Sequence, residues 1–411
     1  QPPDGNHLEE SGGDGGMKWE KVKLGDIATF SNGINFNKTA YAKGIKLIGV
    51  SNFGDRFYPD YSQLQEVKKD IVRLEDCLRN GDIVFVRSNG NKELVGRCML
   101  VKNPTERVTY SGFCIRARLN DTDRYDPVYF TYYFKSKAFR RAVSGTAVGA
   151  NIQNLSQARL SNHECRIPSI EVQHRIADIL SVYDNLIENN QKQIKLLEEA
   201  AQRLYKEWFV DLCFPGHENT EIVDGVPEGW NEKTLSQVAN VIMGQSPKSD
   251  FYNSEKKGLP FHQGVGSYGV RFVMDDIYST SYTRIAEPNS ILFSVRAPVG
   301  RLNITKNKVV IGRGLAAINQ TDGCQSYLYY LLKNKFFKDN IVGNGSIFAS
   351  VSKDELLNQK FLIPERNLMM QFEKIVSQMD KQIENLDSKN KKLIEARDRL
   401  LPKLMSGEVE V

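Results

Sequence analysis

Two long stretches of the chain carry apolar residues at heptad spacing. The first runs from about Pro168 to Leu204 and the second from about Pro364 to Leu400, and they align without a gap at an offset of 196 residues. Apolar positions that alternate three and four residues apart form one face of a helix and predict a coiled coil. The seam positions are Ile176, Leu180, Tyr183, Ile187, Asn190, Ile194, Leu197, Ala201, Leu204 and Trp208 in the first copy, and Phe372, Val376, Met379, Ile383, Leu386, Asn390, Leu393, Arg397, Leu400 and Leu404 in the second.

One asparagine interrupts the seam of each helix. A buried amide is costly without a partner, so such residues fix the register of a helix pair. An antiparallel pair that joins Asn190 to Asn390 puts apolar residues together in most other layers. Arg397 then faces Tyr183, and we expect it to stack on the ring or to extend towards solvent. The alternative, two helices that each pack only on their own domain, stays open.

The regions that precede the two helices also match each other. Trp19 and Trp230 open similar segments, and later β-rich runs bounded by turn residues predict strands near residues 81–87 and 289–296. The predicted fold class is α+β, with two similar mixed α/β domains separated by two long helices in an antiparallel coiled coil, as a pseudo-twofold internal repeat. The predicted boundaries are 1–16 for a flexible N-terminal tail or linker, 17–165 for the first domain, 166–212 for the first long helix, 213–229 for a linker, 230–361 for the second domain, and 362–411 for the second long helix and C-terminal tail.

Composition narrows the class of protein. The 411 residues are 40% hydrophobic with a formal net charge of +5, and no apolar run approaches the roughly 20 residues of a membrane span. Residues 1–16 have no hydrophobic stretch, so we do not expect a signal peptide there. The six cysteines are scattered without a CxxC pair, which predicts no metal site and reduced thiols in the cytoplasm.

Motifs of common catalytic sites are missing from the sequence. It contains no GxxxxGK[ST] phosphate loop, no HExxH and no GxSxG elbow. Asp60, Glu66 and Lys68 spell the letters of a metal-dependent nuclease motif. The five residues between the two acids leave little room for the strands that bring such carboxylates together. We therefore treat a standalone metal-dependent nuclease as an alternative.

Polar, glycine-rich loops in both halves carry side chains of the kinds that contact DNA bases and phosphates. Arginine recognises guanine, asparagine and glutamine recognise adenine, and glycine lets the backbone approach phosphate. The bland alternative is that these loops are merely exposed turns. Arg296 and Arg301 match Arg87 and Arg97 in the repeat, which favours structural or phosphate-binding roles for them. The candidate DNA-binding residues are Asn32, Asn35, Asn37, Lys38, Arg87, Ser88, Asn89, Asn91, Lys92, Gln245, Ser246, Lys248, Ser249, His262, Gln263, Ser267, Tyr268, Arg296 and Arg301.

From Met17 onwards the chain resembles the specificity subunit of type I restriction–modification systems. The resemblance rests on an ordered set of features: the paired Trp openings, the Ile-Pro entry to each helix, the runs 184–189 and 380–385, the run 204–211 and the 226–230 joint. The chain departs from the family where Pro-Glu-Gln usually precedes the helix. Here Glu171-Val172-Gln173 is interrupted, and the second copy keeps only Gln371.

The resemblance implies a DNA sequence-recognition subunit without catalysis of its own. Two target recognition domains would each read one half of a bipartite double-stranded DNA target. Two methylation (M) subunits that bind S-adenosylmethionine, and restriction/translocase (R) subunits that use ATP and Mg, would dock on this chain. The chain itself would bind no cofactor, no metal and no membrane. A coiled-coil scaffold that binds no DNA is the further alternative.

Overall fold

The computed structural model describes residues 19–54, 56–89, 94–144, 154–336 and 350–411. The chain divides into two compact units. The first consists of residues 1–190 and 388–411, and the second of residues 191–387. Each unit therefore contains one domain together with part of both long helices.

The first unit combines small sheets with short helices and the start of a long helix. Its strands are β1 (Glu20–Lys23), β2 (Ala28–Asn32), β3 (Tyr41–Ile48), β4 (Gln65–Val67), β5 (Ile83–Val86), β6 (Cys98–Leu100), β7 (Val108–Tyr110), β8 (Cys114–Leu119) and β9 (Glu164–Ile167), and its helices are α1 (Leu24–Ile27), α2 (Pro127–Lys135), α3 (Lys137–Ser144), α4 (Gln157–Ser161) and α5 (Ile170–Phe209), which continues into the second unit. Strands β2-β8-β5-β6 form an antiparallel sheet, and β4-β3-β7 form a second sheet in which β3 and β7 are parallel.

Strand β5 lies inside the four-stranded sheet and is buried along its length. Successive side chains of a strand point to opposite faces. Ile83 and Phe85 accordingly pack with helix α2, whereas Val84 and Val86 pack in a separate cluster with strand β7. An uninterrupted apolar run is what a strand covered on both faces requires.

The second unit repeats this design. Its strands are β10 (Ile222–Val223), β11 (Val226–Pro227), β12 (Asn231–Thr234), β13 (Ala239–Met243), β14 (Tyr252–Asn253), β15 (Leu259–His262), β16 (Tyr278–Ser279), β17 (Ile285–Ala286), β18 (Ile291–Ser294), β19 (Leu302–Ile304), β20 (Val309–Ile311), β21 (Leu315–Gln320) and β22 (Lys360–Ile363), and its helices are α6 (Leu235–Val238), α7 (Gln325–Phe336), α8 (Lys353–Leu357) and α9 (Arg366–Ser406), which continues into the first unit. Its sheets have the orders β13-β21-β18-β19 and β14-β16-β15-β20-β17.

Strand pairing confirms the repeat that the sequence predicts. Glu20 lies opposite Ile167 where β1 pairs with β9, and Asn231 lies opposite Ile363 where β12 pairs with β22. These two pairs occupy matching positions and run antiparallel in the same register. The chain thus holds two matching domains of mixed helix and strand.

The long helices begin later than the sequence predicts. Strands β9 and β22 end at the isoleucine of each Ile-Pro step, and α5 and α9 start at Ile170 and Arg366. The residue before a proline is disfavoured in helical geometry, so the strand ends there and the helix starts beyond it. No helix among the described residues is long and apolar enough to cross a bilayer.

Side-chain pairs of α5 and α9 follow an antiparallel register within each unit. In the first unit, Nδ2 of Asn190 donates a hydrogen bond to Oδ1 of Asn390 at 2.8 Å, which is the predicted pair. In the second unit, the rings of Trp208 and Phe372 lie 6.0 Å apart, as that register requires. The expectation for Arg397 is corrected, because its guanidinium donates to Asp184. An ion pair satisfies a half-buried arginine better than stacking on a ring.

Candidate nucleic-acid interface

In the first unit, three loops meet at one end of the four-stranded sheet. The Ile34 N–H donates to the carbonyl of Tyr110 at 2.9 Å, and the Arg87 N–H donates to the carbonyl of Phe113 at 2.8 Å. Backbone bonds therefore tie the loops to one another. We call these loops the first loop frame: residues 32–38, 87–89 and 110–114.

The second unit forms the same bonds in the same places. The Gln245 N–H donates to the carbonyl of Ile311 at 3.0 Å, and the Val295 N–H donates to the carbonyl of Gly314 at 2.9 Å. Four backbone groups thus have counterparts in the two units. We call these loops the second loop frame: residues 243–249, 295–296 and 311–315.

Each frame depends on a glycine at the end of its first strand. A Cβ at Gly33 would lie 2.2 Å from the carbonyl oxygen of Tyr110, and a Cβ at Gly244 would lie 2.1 Å from that of Gly312. No other residue tolerates such a close backbone approach. The matched glycines of the sequence repeat therefore serve the architecture of the loops.

The frames correct one correspondence drawn from the sequence. The matched backbone bonds make Val295 the counterpart of Arg87. Arg296 is instead the counterpart of Ser88. The backbone of Arg296 forms an isolated antiparallel β-bridge with Ser350, as the backbone of Ser88 does with Asn154. The error arose because one residue more separates strand from arginine in the second copy. Arg87 and Arg296 thus occupy non-equivalent positions on a common scaffold.

The match between Arg97 and Arg301 is confirmed. The carbonyl of Arg97 accepts from the Val86 N–H at 2.8 Å, and that of Arg301 accepts from the Ser294 N–H at 2.9 Å. The two arginines therefore occupy equivalent backbone positions in the repeat. The Arg301 side chain is half-buried and lines a pocket of about 410 Å³ in the second unit with Glu198.

Predicted DNA-binding residues of the first loop frame divide into two groups. Asn32, Asn35 and Lys38 are exposed. Asn37 instead caps a short turn, because its Oδ1 accepts from the Thr39 N–H at 3.1 Å. Its exposed amide group leaves a contact with DNA open as a prediction.

The arginine at the next loop is held by its neighbour. Nη1 of Arg87 donates to the carbonyl of Gly112 at 3.1 Å, and this half-buried side chain therefore has a fixed direction. Ser88 and Asn89 follow it and are also half-buried. Asn91 and Lys92 lie outside the described residues.

The second loop frame presents more charge. Gln245, Lys248, Ser249 and Arg296 are exposed. Gln263 comes from the loop after β15 and joins this frame, because its Oε1 accepts a hydrogen bond from Oγ of Ser246 at 2.9 Å. These five predicted residues are therefore brought to one end of the sheet with Ser246.

Three predicted DNA-binding residues of the second unit make hydrogen bonds within that unit. His262 is 0% exposed, and its Nδ1 lies 2.9 Å from Oγ of Ser267. The hydroxyl of Tyr268 donates to the carbonyl of Leu292 at 3.0 Å, and burial raises the pKa of this tyrosine. The fully buried His262 therefore does not present its side chain to DNA as predicted. Ser267 and Tyr268 are half-buried, and their contact with DNA stays a prediction. Their polar groups hold the loop between β15 and β16 in place.

Two exposed residues of the frames escaped the sequence reasoning. Phe113 is 62% exposed in the first frame, and Arg313 is exposed in the second. In the repeat, the matched backbone bonds make Phe113 equivalent to Gly314 and Gly112 equivalent to Arg313. The sequence did contain a signal for this exposure, because a turn cannot by itself bury a bulky or charged residue that stands beside glycine.

Neither loop frame contains an acidic residue, and both carry cations. The first has Lys38 and Arg87, and the second has Lys248, Arg296 and Arg313. Amides and guanidinium groups without competing carboxylates suit phosphate oxygens and base edges.

The nuclease alternative has no support in the described residues. Asp60 accepts from the Ser62 N–H and side chain, which lower the pKa of this carboxyl, and Glu66 accepts from the Gly44 N–H at 2.6 Å. Both carboxylates thus brace local turns. Among the residues that the structure describes, no three acid, histidine or cysteine side chains are grouped to hold a metal.

One side chain on each long helix, a buried amide in the first unit and a half-buried acid in the second, anchors the neighbouring domain. In the first unit, Oε1 of Gln173 accepts from the Asp126 N–H at 3.0 Å, just before α2. In the second, Glu373 accepts from the Ser326 and Tyr327 N–H groups at 3.2 and 3.0 Å in the first turn of α7. Those N–H groups lack partners within their own helix. Burial raises the pKa of the Glu373 carboxyl despite these two donors.

Repeat-equivalent aspartates provide a second anchor, with different partners. In the first unit, Asp184 accepts from the Tyr132 hydroxyl at 2.5 Å and from Arg397 of α9. In the second, Asp380 accepts from Nη2 of Arg271 at 2.5 Å, and Arg271 belongs to the domain rather than to a long helix.

Arg271 is the most deeply buried cation described in the second unit. It is 3% exposed, its Cζ lies 3.9 Å from the ring centroid of Tyr329, and its Nη1 lies 3.4 Å from Oε1 of Glu198. Charge pairing and an aromatic face compensate the loss of water. The domain is thereby fixed to both long helices within this unit.

Comparison with known proteins places these features in a family. The sequence profile of the type I restriction modification DNA specificity domain matches residues 17–199 and 227–396. The chain is 24% identical over 95% of its length to the type I restriction enzyme HindI specificity subunit of Haemophilus influenzae, of which it covers 99%. It is 27% identical to the type I restriction enzyme MjaIX specificity subunit of Methanocaldococcus jannaschii, over 77% of this chain and 76% of that one.

The fold agrees with that of a solved relative. A type I restriction–modification system S subunit from M. genitalium superposes with a TM-score of 0.57 at 18% identity, over 97% of this chain and 98% of that one. Two matches to the family profile cover the two repeated domains and most of both long helices. The chain therefore belongs to the type I restriction–modification DNA specificity family and is a specificity subunit.

Proposed function

We propose that this specificity subunit reads a bipartite double-stranded DNA target, one half with each loop frame. The observation that carries the proposal is that the same backbone bonds hold different side chains in the two frames. A common scaffold fixes where side chains meet the DNA, while the side chains decide which bases are accepted. Two different sets on one scaffold suit two different half-targets.

We propose further that α5 and α9 act as a spacer in the form of an antiparallel coiled coil. The Asn190–Asn390 hydrogen bond supports this, because a single polar layer fixes the register of such helices. The buried apolar seam residues on either side, such as Ile187 and Ile383, support it as well. The length of the paired helices would then set the number of unread base pairs between the half-targets.

The subunit acts in this proposal without catalysis of its own. Methylation subunits would bind S-adenosylmethionine, restriction subunits would use ATP and Mg, and both would dock on this chain in the cytoplasm. The family assignment supports these partners. The lack of an acidic residue in the two frames fits a surface built to bind DNA rather than to cleave it.

Methylation sequencing tests the proposal directly. The chain would be expressed with its methylation subunits in a host that lacks other methylation, and modified bases would be mapped across the genome. We expect one motif with two specified parts and an unspecified gap of fixed length. A single continuous motif, or no modification by an active methylation subunit, would contradict the proposal.

Incubation of the lone chain with DNA separates the alternatives. A scaffold that does not bind DNA would give no gel shift on duplex at low salt, where phosphate contacts are strongest. A nuclease would cleave DNA in Mg²⁺ and would lose that activity in Asp60→Asn. We expect a shift without cleavage.

A further inference from the structure

Phe113 stands out among the exposed side chains of the first loop frame. Its side chain is 62% exposed, and the neighbouring candidates Asn35, Arg87 and Ser88 are all polar. Single exposed apolar residues are common on protein surfaces. What distinguishes Phe113 is the rigidity of its support and the chemistry that surrounds it.

The turn that carries Phe113 is held from three sides. The Cys114 N–H donates to the carbonyl of Ser111 at 2.8 Å and closes the turn. The carbonyl of Phe113 accepts from the N–H groups of Arg87 at 2.8 Å and Ser88 at 3.2 Å. The Gly112 N–H adds a bond of 2.7 Å to the carbonyl of Ile34. The backbone of Phe113 is therefore held in a fixed place, while its side chain stays exposed.

Close packing beside the ring leaves the turn little freedom. A Cβ at Gly112 would lie 2.1 Å from Oδ1 of Asn35, so the amide of Asn35 sits directly over the turn. Nη1 of Arg87 is bonded to the carbonyl of the same glycine at 3.1 Å. An amide, a guanidinium group and an aromatic ring thus share one small area.

Those three groups correspond to the chemical features of the major groove. Amides and guanidinium groups pair with the donors and acceptors of adenine and guanine, and the one apolar feature of the base edges there is the 5-methyl group of thymine.

The second frame shows what happens without this ring. Gly314 occupies the position of Phe113, and the neighbouring Gly112 is replaced by Arg313. An arginine there favours guanine or phosphate rather than a methyl group. The same turn thus carries an apolar side chain in the first loop frame and a cationic one in the second.

We propose that Phe113 is a specificity-determining residue that recognises the methyl group of a thymine in the first half-target. The inference rests on the proposed reading of one half-target by each frame. It predicts that the first half-target contains an A·T pair at the position that the ring contacts. It also predicts that discrimination at that pair depends on the methyl group of the thymine.

Replacing thymine by deoxyuridine removes only the methyl group and isolates this contact. The complex with methylation subunits would be measured on its own target, with each thymine of both halves replaced in turn. We expect one position in the first half at which wild type loses about fourfold in affinity, the value for one buried methyl group. Phe113→Ser should bind thymine and deoxyuridine equally there, and should respond as wild type does in the second half.

Leu74→Ser provides the matched control. Leu74 is 69% exposed in the same unit and lies outside the loop frame, so its replacement should leave the response to deoxyuridine unchanged. Circular dichroism would confirm that both variants fold.

Three results would overturn the inference: a first half-target without thymine, wild type that is insensitive to deoxyuridine throughout the first half, or a ratio of thymine to deoxyuridine affinity that persists in Phe113→Ser, as it would if the variant weakened binding to both bases by the same factor. Failure of the proposed function looks different, since a complex without a bipartite target has no first half to test.

Discussion

The two loop frames have the same backbone and different chemistry. Carbonyl and N–H groups at matched positions bond in both units, and a glycine that tolerates no side chain stands at the same point in each. On this frame the first unit places Arg87 and Phe113 where the second places Val295 and Gly314. Backbone hydrogen bonds do not depend on side-chain identity, so the scaffold can persist while the exposed side chains change.

The anchors between domain and long helix differ in another way: a side chain is kept in both units, and the element that supplies its partner changes. Asp184 and Asp380 are equivalent, yet their arginines come from different elements, Arg397 of α9 and Arg271 of the second domain. Here the acid is kept and the source of the cation varies. A half-buried carboxylate is stabilised by a cation, and that cation can come from the domain or from the other long helix.

Of the substitutions considered, removal of Arg271 should lower the free energy of unfolding the most. A small loss would contradict the comparison of the two anchors. Arg271→Met leaves Asp380 and Glu198 without their cation, and we expect a loss of about 3–5 kcal/mol in the free energy of unfolding. Urea denaturation measures it. Arg399→Ala, which removes an exposed ion pair with Glu395, is the control and should cost less than about 1 kcal/mol.

Arg397→Met sharpens the same comparison in the first unit. Its side chain is partly exposed, and Asp184 keeps the hydroxyl of Tyr132, so we expect a smaller loss than for Arg271→Met. An equal loss in the two variants would show that the source of the cation is immaterial to stability.

The asparagine pair should give the next largest effect. Asn190→Leu leaves the buried amide of Asn390 unpaired, at a cost of about 1–3 kcal/mol. The double variant Asn190→Leu/Asn390→Leu removes both amides and should be more stable than either single variant, which a double-mutant cycle by urea denaturation would record. Additive losses would mean that the two amides do not depend on each other.

The features set by periodicity and repetition were predictable from the sequence. Heptad spacing and one polar residue per seam identified the Asn190–Asn390 pair, because a buried amide has few places to go. Matched Trp openings and β-rich runs located the repeated domains. Such patterns record local geometry and burial, which leave a direct trace in the order of residues.

Features that depend on how distant loops meet were not predictable. His262 resembles a DNA-binding residue in a glycine-rich run, and only the fold shows that it is buried against Ser267. One extra residue before Arg296 shifted its correspondence from Arg87 to Ser88, which strand pairing alone reveals. The ion-pair partners of Arg397 and Arg271 are likewise distant in sequence, and only the packing of the folded chain identifies them.

Exchange of one recognition domain is the most direct test of the central claim that each frame reads its own half-target. Residues 18–162 would be replaced by the matching region of another specificity subunit, and the motif would be read by methylation sequencing. The account predicts that one half of the motif changes to that of the donor, while the other half and the gap stay as they were. A change in both halves, or in neither, would contradict it.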